Sequence, residues 1–371
     1  MRVRRLCRMA LRSWMGLVLI LGLSCHYFSP TRGRLVHSRL LQIYNWLTMV
    51  ANIVLYFPYY FYALVYFAEG TFRRQSFVIM VCHGNVKLQL VALSIQTLWR
   101  LLCERQVCQV YNELSAITEL ELKCEEHSRF YHVVFLAKMH NFLHNFNFGL
   151  SVLLVSGMRT FGMSDVLSIV YFIYNCLARN AVQVTYVLLL LELSEALRLN
   201  GQQQPESYGQ LKEQLRREER LMELVRRVHR FFAWMVAVTL FYELYFNTAT
   251  IYLGYSFVIQ RNDALGLHLH ALKILLTVLC FVVKLSDVLL LQIVCEHLLG
   301  QQNHLCATPK VQAKAAQRQW EMSVFRRAIR RASPENKVLG MFSMDMRCAF
   351  ALISCSLSYG IIIIQIGYVR G

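Results

Sequence analysis

The chain has 371 residues, 56% of them hydrophobic and 16% charged, with a mean hydropathy of +0.38. That balance excludes an ordinary soluble domain and indicates an integral membrane protein embedded in a lipid bilayer. The formal net charge of +17 does not point to nucleic acid, because the Lys and Arg residues lie between apolar runs and build no soluble basic fold.

At the start, Arg2, Arg4, Arg5, Arg8 and Arg12 precede the apolar stretch Trp14 to Leu23. The pattern imitates a signal peptide, and Leu21-Gly22-Leu23-Ser24-Cys25 imitates a lipoprotein cleavage site. An apolar core of about ten residues is too short to span, so residues 1–37 are expected to form a cytoplasmic N-terminus with a short interfacial helix. Residues 38–371 read as one membrane domain. Apolar runs near 40–66, 77–101, 131–157, 164–192, 231–258, 265–295 and 348–368 each reach the roughly 20 residues needed to cross about 30 Å of hydrocarbon. They lack the period-two alternation of barrel strands, which predicts an all-α polytopic protein with seven transmembrane helices.

Seven spans divide the connections into two sets. Residues 1–37, 102–130, 193–230 and 296–338 together carry 26 Lys and Arg, and the opposite set carries 5. The positive-inside bias then places the N-terminus in the cytoplasm and the C-terminus outside, the reverse of a G-protein-coupled receptor. The inner connections are also the long ones. Gln210 to Arg230 alternates acids and bases, with Glu213/Arg217 and Glu223/Arg227 as favourable i,i+4 pairs, and is expected to continue helically into the fifth span. Val311 to Arg331 reads as a second basic cytoplasmic helix, and Gly201 to Gly209 as a flexible linker. Cytoplasmic anchor helices are thus expected at about 193–230 and 296–347, with a pore helix at about 351–368. The twelve cysteines show no paired CxxC spacing and are expected to be reduced packing residues.

Polar groups at membrane depth mark function or pair with one another. Gln365 interrupts the last apolar run, and Ile361, Ile362, Gln365 and Ile366 recur on one helical face, a candidate pore lining and gate. Lys284 and Asp287, three residues apart, are expected to pair mutually. His83, Asn85, His144, Phe148, Tyr171, Tyr174, Tyr245, Asn247, Tyr252 and Tyr255 fall in or near the outer halves of their spans and form a candidate ligand-binding region. His140 with His144, and His268 with His270, lack further ligands at matching spacing, so no metal is expected. No catalytic or cofactor motif appears, so neither an enzyme nor a cofactor is expected.

Ser358-Tyr359, five residues, then Gln365-Ile366 resembles the Thr-Tyr, five hydrophobics, Gln-Phe signature of insect gustatory receptors, a family of the insect chemoreceptor superfamily. Leu339-Gly340-Met341-Phe342-Ser343-Met344-Asp345 resembles the segment that precedes it there, and Leu21-Gly22-Leu23 with Tyr27 and Pro30-Thr31-Arg32-Gly33-Arg34 resembles the stretch before the first span. The resemblance implies a gustatory receptor subunit acting as a ligand-gated non-selective cation channel, a homotetramer or a heterotetramer with other gustatory receptors, in the plasma membrane of sensory neurons. It also implies a ring of four Gln365 amides and a gating role for Ser358 and Tyr359. Ile366 replaces the family's Phe and loses ring volume at the gate. The aromatic outer positions, poor in acids, lean toward bitter or other apolar small-molecule tastants. An accessory subunit of a heteromeric complex is the closest alternative, and a G-protein-coupled chemoreceptor would require the opposite orientation.

Overall fold

The structure is a computed structural model describing residues 13–29, 34–61, 76–118, 122, 127–155, 163–203, 208–259, 267–307, 337–338 and 342–370. In chain order these form α1 (13–20), an antiparallel hairpin of β1 (His26–Ser29) and β2 (Arg34–His37), then α2 (Arg39–Phe61), α3 (Ser76–Ala116), α4 (Arg129–Val155), α5 (Met163–Gln202), α6 (Tyr208–Ile259) and α7 (Leu267–Ala307). A second small hairpin, β3 (Lys337–Val338) with β4 (Phe342–Ser343), leads into α8 (Met346–Arg370). Among the described residues five helices, α2, α3, α5, α7 and α8, are long and apolar enough to cross a membrane. The expected cytoplasmic helix at 311–331 lies outside the described residues.

The N-terminal segment folds onto the bundle. Gly22, at φ +66°, ends α1: its N–H donates to Leu19 O and the N–H of Leu23 to Val18 O. Those are the paired bonds of a left-handed glycine cap, usually accompanied by an apolar contact across it. Val18 and Leu23 are accordingly buried in one cluster with Trp14, Phe142 and Ala178. Asn112 on α3 then grips the hairpin, accepting from the N–H of Leu35 at 2.9 Å and donating to its carbonyl at 3.1 Å.

Buried helices in lipid gain little from hydrophobic transfer and depend on close packing and polar contacts. α5 supplies much of that packing. It touches α2, α3, α4, α6 and α7, and Leu190, Leu193 and Leu197 are fully buried in the largest cluster. α6 runs unbroken for 52 residues, as its acid–base pattern predicts. The surface pairs differ in detail: Glu223 meets Arg226 at 3.1 Å, and Arg227 instead crosses to Glu113 on α3 at 2.7 Å. The nine cysteines whose side chains are described form no disulfide among the described residues.

Candidate functional site

Two regions carry the sequence-predicted residues. The first is an aromatic cluster between the C-terminal end of α2, the N-terminal ends of α3 and α5, and the C-terminal half of α6. Tyr56, Tyr59, Tyr171 and Tyr252 are buried there, with Tyr60, Phe172, Tyr245 and Tyr255 packed against them. The rings of Tyr59 and Tyr171 lie 4.7 Å apart, within the range of favourable aromatic pairs. Three of the cluster's hydroxyls are bonded: Tyr59 donates to Gln89 Oε1 at 2.9 Å, Tyr245 to Val81 O at 3.1 Å, and Tyr60 pairs with His83 Nδ1 at 3.1 Å.

Of the predicted ligand residues, this cluster gathers Tyr171, Tyr245, Tyr252 and Tyr255, and reaches His83 through Tyr60. The amide oxygens of Asn85 and Asn247 are buried without a hydrogen-bond partner among the described residues. Tyr174 packs instead with the α1 cluster, and the ring of His144 lies against His140 at 4.5 Å. The side chains of Phe148, His268 and His270 lie outside the described residues. Sequence reasoning missed the α2 contribution of Tyr56, Tyr59 and Tyr60. The signal was the dense aromatic run flanking Pro58, whose carbonyl accepts the Ser168 hydroxyl at 2.9 Å.

Beneath this cluster two buried ion pairs form, though not as spacing predicted. Lys284 and Asp287 do not form the principal pair: Lys284 reaches Glu243 on α6 at 3.3 Å, while Asp287 takes Lys138 on α4 at 3.0 Å and Asn141 at 2.9 Å. Neighbours on adjacent helices win because each pairing also closes a helix interface. Arg179 stacks over Tyr242 at 3.9 Å, and Gln89 donates to the Tyr242 hydroxyl at 3.3 Å, linking α5, α6 and α3. These contacts join the aromatic cluster to the ion pairs.

The second region is α8. Its N-terminus is capped by Asp345, whose carboxylate accepts the N–H of Cys348 at 3.0 Å and the Ser343 hydroxyl at 2.8 Å. Burial pushes this carboxyl up, but those bonds, the N–H of Arg347 and the Arg347 charge outweigh it and hold the group below its ordinary value. The helix then divides into two faces. Ser356 and Gly360 are buried, and a Cβ at Gly360 would sit 2.9 Å from Ile251 of α6. Gly367 likewise approaches Tyr252, so both glycines permit close contact with α6. The other face is bare in the single chain: Tyr359, Ile361, Ile362 and Ile366 are 53%, 55%, 45% and 39% exposed, and Ser358 and Gln365 are exposed beside them. Ile361, Ile362, Gln365 and Ile366 do share one face, and Tyr359 lies with them rather than packing inward.

A family model for the 7tm chemosensory receptor matches residues 11–370. The putative gustatory receptor 10b of Drosophila melanogaster is 60% identical over 373 residues, spanning both chains in full. In fold, the chain is similar to the insect olfactory receptor OR5 from Machilis hrabei in complex with eugenol, with a TM-score of 0.68 and 14% identity over 96% of this chain and 99% of that one. A second structure of the same receptor gives a TM-score of 0.68 and 12% identity over 99% and 100%. With a match along nearly its whole length and a full-length relative at that identity, this multi-pass membrane protein belongs to the 7tm chemosensory receptor family, among the insect gustatory receptors.

Proposed function

We propose that the chain is a subunit of a ligand-gated, non-selective cation channel of taste neurons, with seven spans, a cytoplasmic N-terminus and an external C-terminus. In this reading four subunits, identical or mixed, gather their α8 helices around a central pore. The observation that carries it is the division of α8 into a glycine-lined face pressed on α6 and a bare face bearing Gln365. An amide facing lipid at membrane depth is costly, whereas one facing water or neighbouring subunits is not. Ile361, Ile362 and Ile366 form a hydrophobic constriction beside a neutral polar ring, which suits gating by dewetting and weak discrimination among cations.

The ligand is a small, largely apolar tastant, bitter in modality, that enters between the outer helix ends and meets the tyrosines of α2, α3, α5 and α6. It opens the pore through higher affinity for the open arrangement, transmitted by α6, which touches both the aromatic cluster and α8. Residues 193–230 and 296–347 serve as the cytoplasmic anchor around the channel domain.

Whole-cell recording tests the pore assignment. Gln365→Glu should raise, and Gln365→Arg lower, permeability to divalent relative to monovalent cations. Unchanged permeability ratios in conducting channels would remove Gln365 from the pore. An epitope after Gly371 should label on intact cells; labelling only after permeabilisation, with surface delivery shown separately, would reverse the orientation.

A further inference from the structure

Where α1 and the β1–β2 hairpin lie over α3 and α5 they enclose a cavity of about 550 Å³, well inside the range of roughly 300–1,000 Å³ typical of small-molecule sites. Trp14, Val18, Val107 and Leu189 give it apolar walls, and the half-exposed rings of Tyr27 and Phe28 stand at its edge. Among the described residues none from α8 lines it, so its role is independent of where the pore lies.

One wall is charged. Arg100 and Glu104 lie a turn apart on α3, both almost fully buried. Glu104 is surrounded by donors: Oε1 accepts the Ser24 hydroxyl at 2.6 Å and the Cys25 N–H at 3.2 Å, and faces His26 Nδ1 at 3.2 Å. Its Oε2 sits 3.0 Å from Arg100 Nε. Arg100, though it carries this ion pair, has donor capacity left over. Among the described residues its one hydrogen bond runs from Nε to Leu23 O at 3.4 Å, and Nη1 is buried with no partner. A guanidinium carries five N–H donors, and leaving those on a buried Nη1 empty is costly. The second carboxylate on the cavity, Glu192, is already occupied by the Tyr131 hydroxyl at 2.6 Å and His127 at 3.4 Å.

We propose that this cavity binds an anionic amphiphile, its acid head, carboxylate or phosphate, accepting hydrogen bonds from the guanidinium of Arg100 and its apolar body laid along Trp14, Val18, Val107 and Leu189. A pair of acid oxygens, on carboxylate or phosphate, matches guanidinium donors, and the apolar walls take a chain or ring that water cannot satisfy. The occupant reaches the site over the Tyr27 and Phe28 rim and fastens the N-terminal segment to α3 and α5.

The test uses the full chain in phosphatidylcholine nanodiscs, with radiolabelled palmitate as probe and hexadecanol as its uncharged counterpart. Palmitate should bind saturably and hexadecanol at least tenfold more weakly. Arg100→Gln should lower palmitate affinity at least tenfold, with Arg100→Lys recovering part of it. Because Arg100→Gln also strips Glu104 of its cation and can impair folding, Leu188→Trp, which narrows the cavity away from that pair, provides an independent variant. It should abolish binding with the melting temperature preserved. Phosphatidate added to the nanodiscs separates the sources: competition with palmitate assigns the site to a lipid headgroup, and indifference assigns it to a free acid. Equal binding of palmitate and hexadecanol, or full palmitate binding by folded Leu188→Trp, would overturn the proposal. So would the absence of palmitate binding together with no Arg100-dependent thermal shift from phosphatidate.

Discussion

Removing one member of the Lys284–Glu243 pair should be costly, and the two removals should not cost the same. At 3.3 Å the attraction of two unit charges is about 5 kcal/mol with an effective dielectric constant near 20. Breaking such a buried pair typically costs about 3–5 kcal/mol, because the survivor stays buried and uncompensated. The surroundings make the pair asymmetric. After Glu243→Leu, Lys284 is left facing the positive charge of Arg179, with Asp287 already held by Lys138. After Lys284→Met, Glu243 keeps the electrostatic company of Arg179. Glu243→Leu should therefore destabilise by the full ~3–5 kcal/mol and Lys284→Met by about half that, while the double variant returns to within ~1 kcal/mol of the parent. Equilibrium unfolding of the full chain in mixed micelles, followed by circular dichroism, measures all three. Additive losses, or Lys284→Met proving the worse of the single changes, would refute the reasoning.

Asp345→Ala deletes the cap of α8 and should cost about 1 kcal/mol, while Asp345→Asn, still a good cap, should lose much less in the same unfolding assay. Gly360→Ala gains about 1 kcal/mol of helix propensity but drives a methyl into Ile251, an overpacking cost of about 1–3 kcal/mol. It should lower the melting temperature, whereas Gly16→Ala, in α1 with open space around it, should raise it or leave it unchanged. His127 has its pKa raised from 6.5: burial lowers it, but the hydrogen bond and charge of Glu192 and the charge of Glu195 prevail. Its stabilising effect is thus fully present below pH 6.5 and is lost as pH climbs through the raised value. Melting curves across that window should show the loss in the parent and not in His127→Gln.

The long helices were legible in the sequence because length and apolarity are local properties. So was the continuity of Gln210 to Arg230 with the rest of α6, since an acid–base pattern at helical spacing needs no tertiary partner. The shared face of Ile361, Ile362, Gln365 and Ile366 followed from periodicity in the same way. Partner choice was not legible. Lys284 and Asp287 are neighbours along α7, yet Glu243 and Lys138 hold them, because which helices lie beside α7 is a property of the bundle. The tyrosines of α2 escaped notice for a related reason: their value comes from meeting Tyr171 and Gln89, residues far away in the chain. The motif residue Asp345 could be recognised by resemblance, but its physical task, capping α8, required the Cys348 bond to be seen.

The unbroken course of α6 has a mechanical consequence. Fifty-two residues at 1.5 Å each make a rod about 78 Å long, free of proline along its whole length. A rod without a hinge cannot absorb a disturbance by bending at one point. Pivoted at one end, a tilt of only about 3° carries the other end through some 4 Å, on the scale of a helical turn. Whatever rearranges the tyrosines in the C-terminal half of α6 therefore acts directly on Ile251 and Tyr252, where α8 leans on it, and through the rod on the Arg227–Glu113 clasp in its N-terminal half.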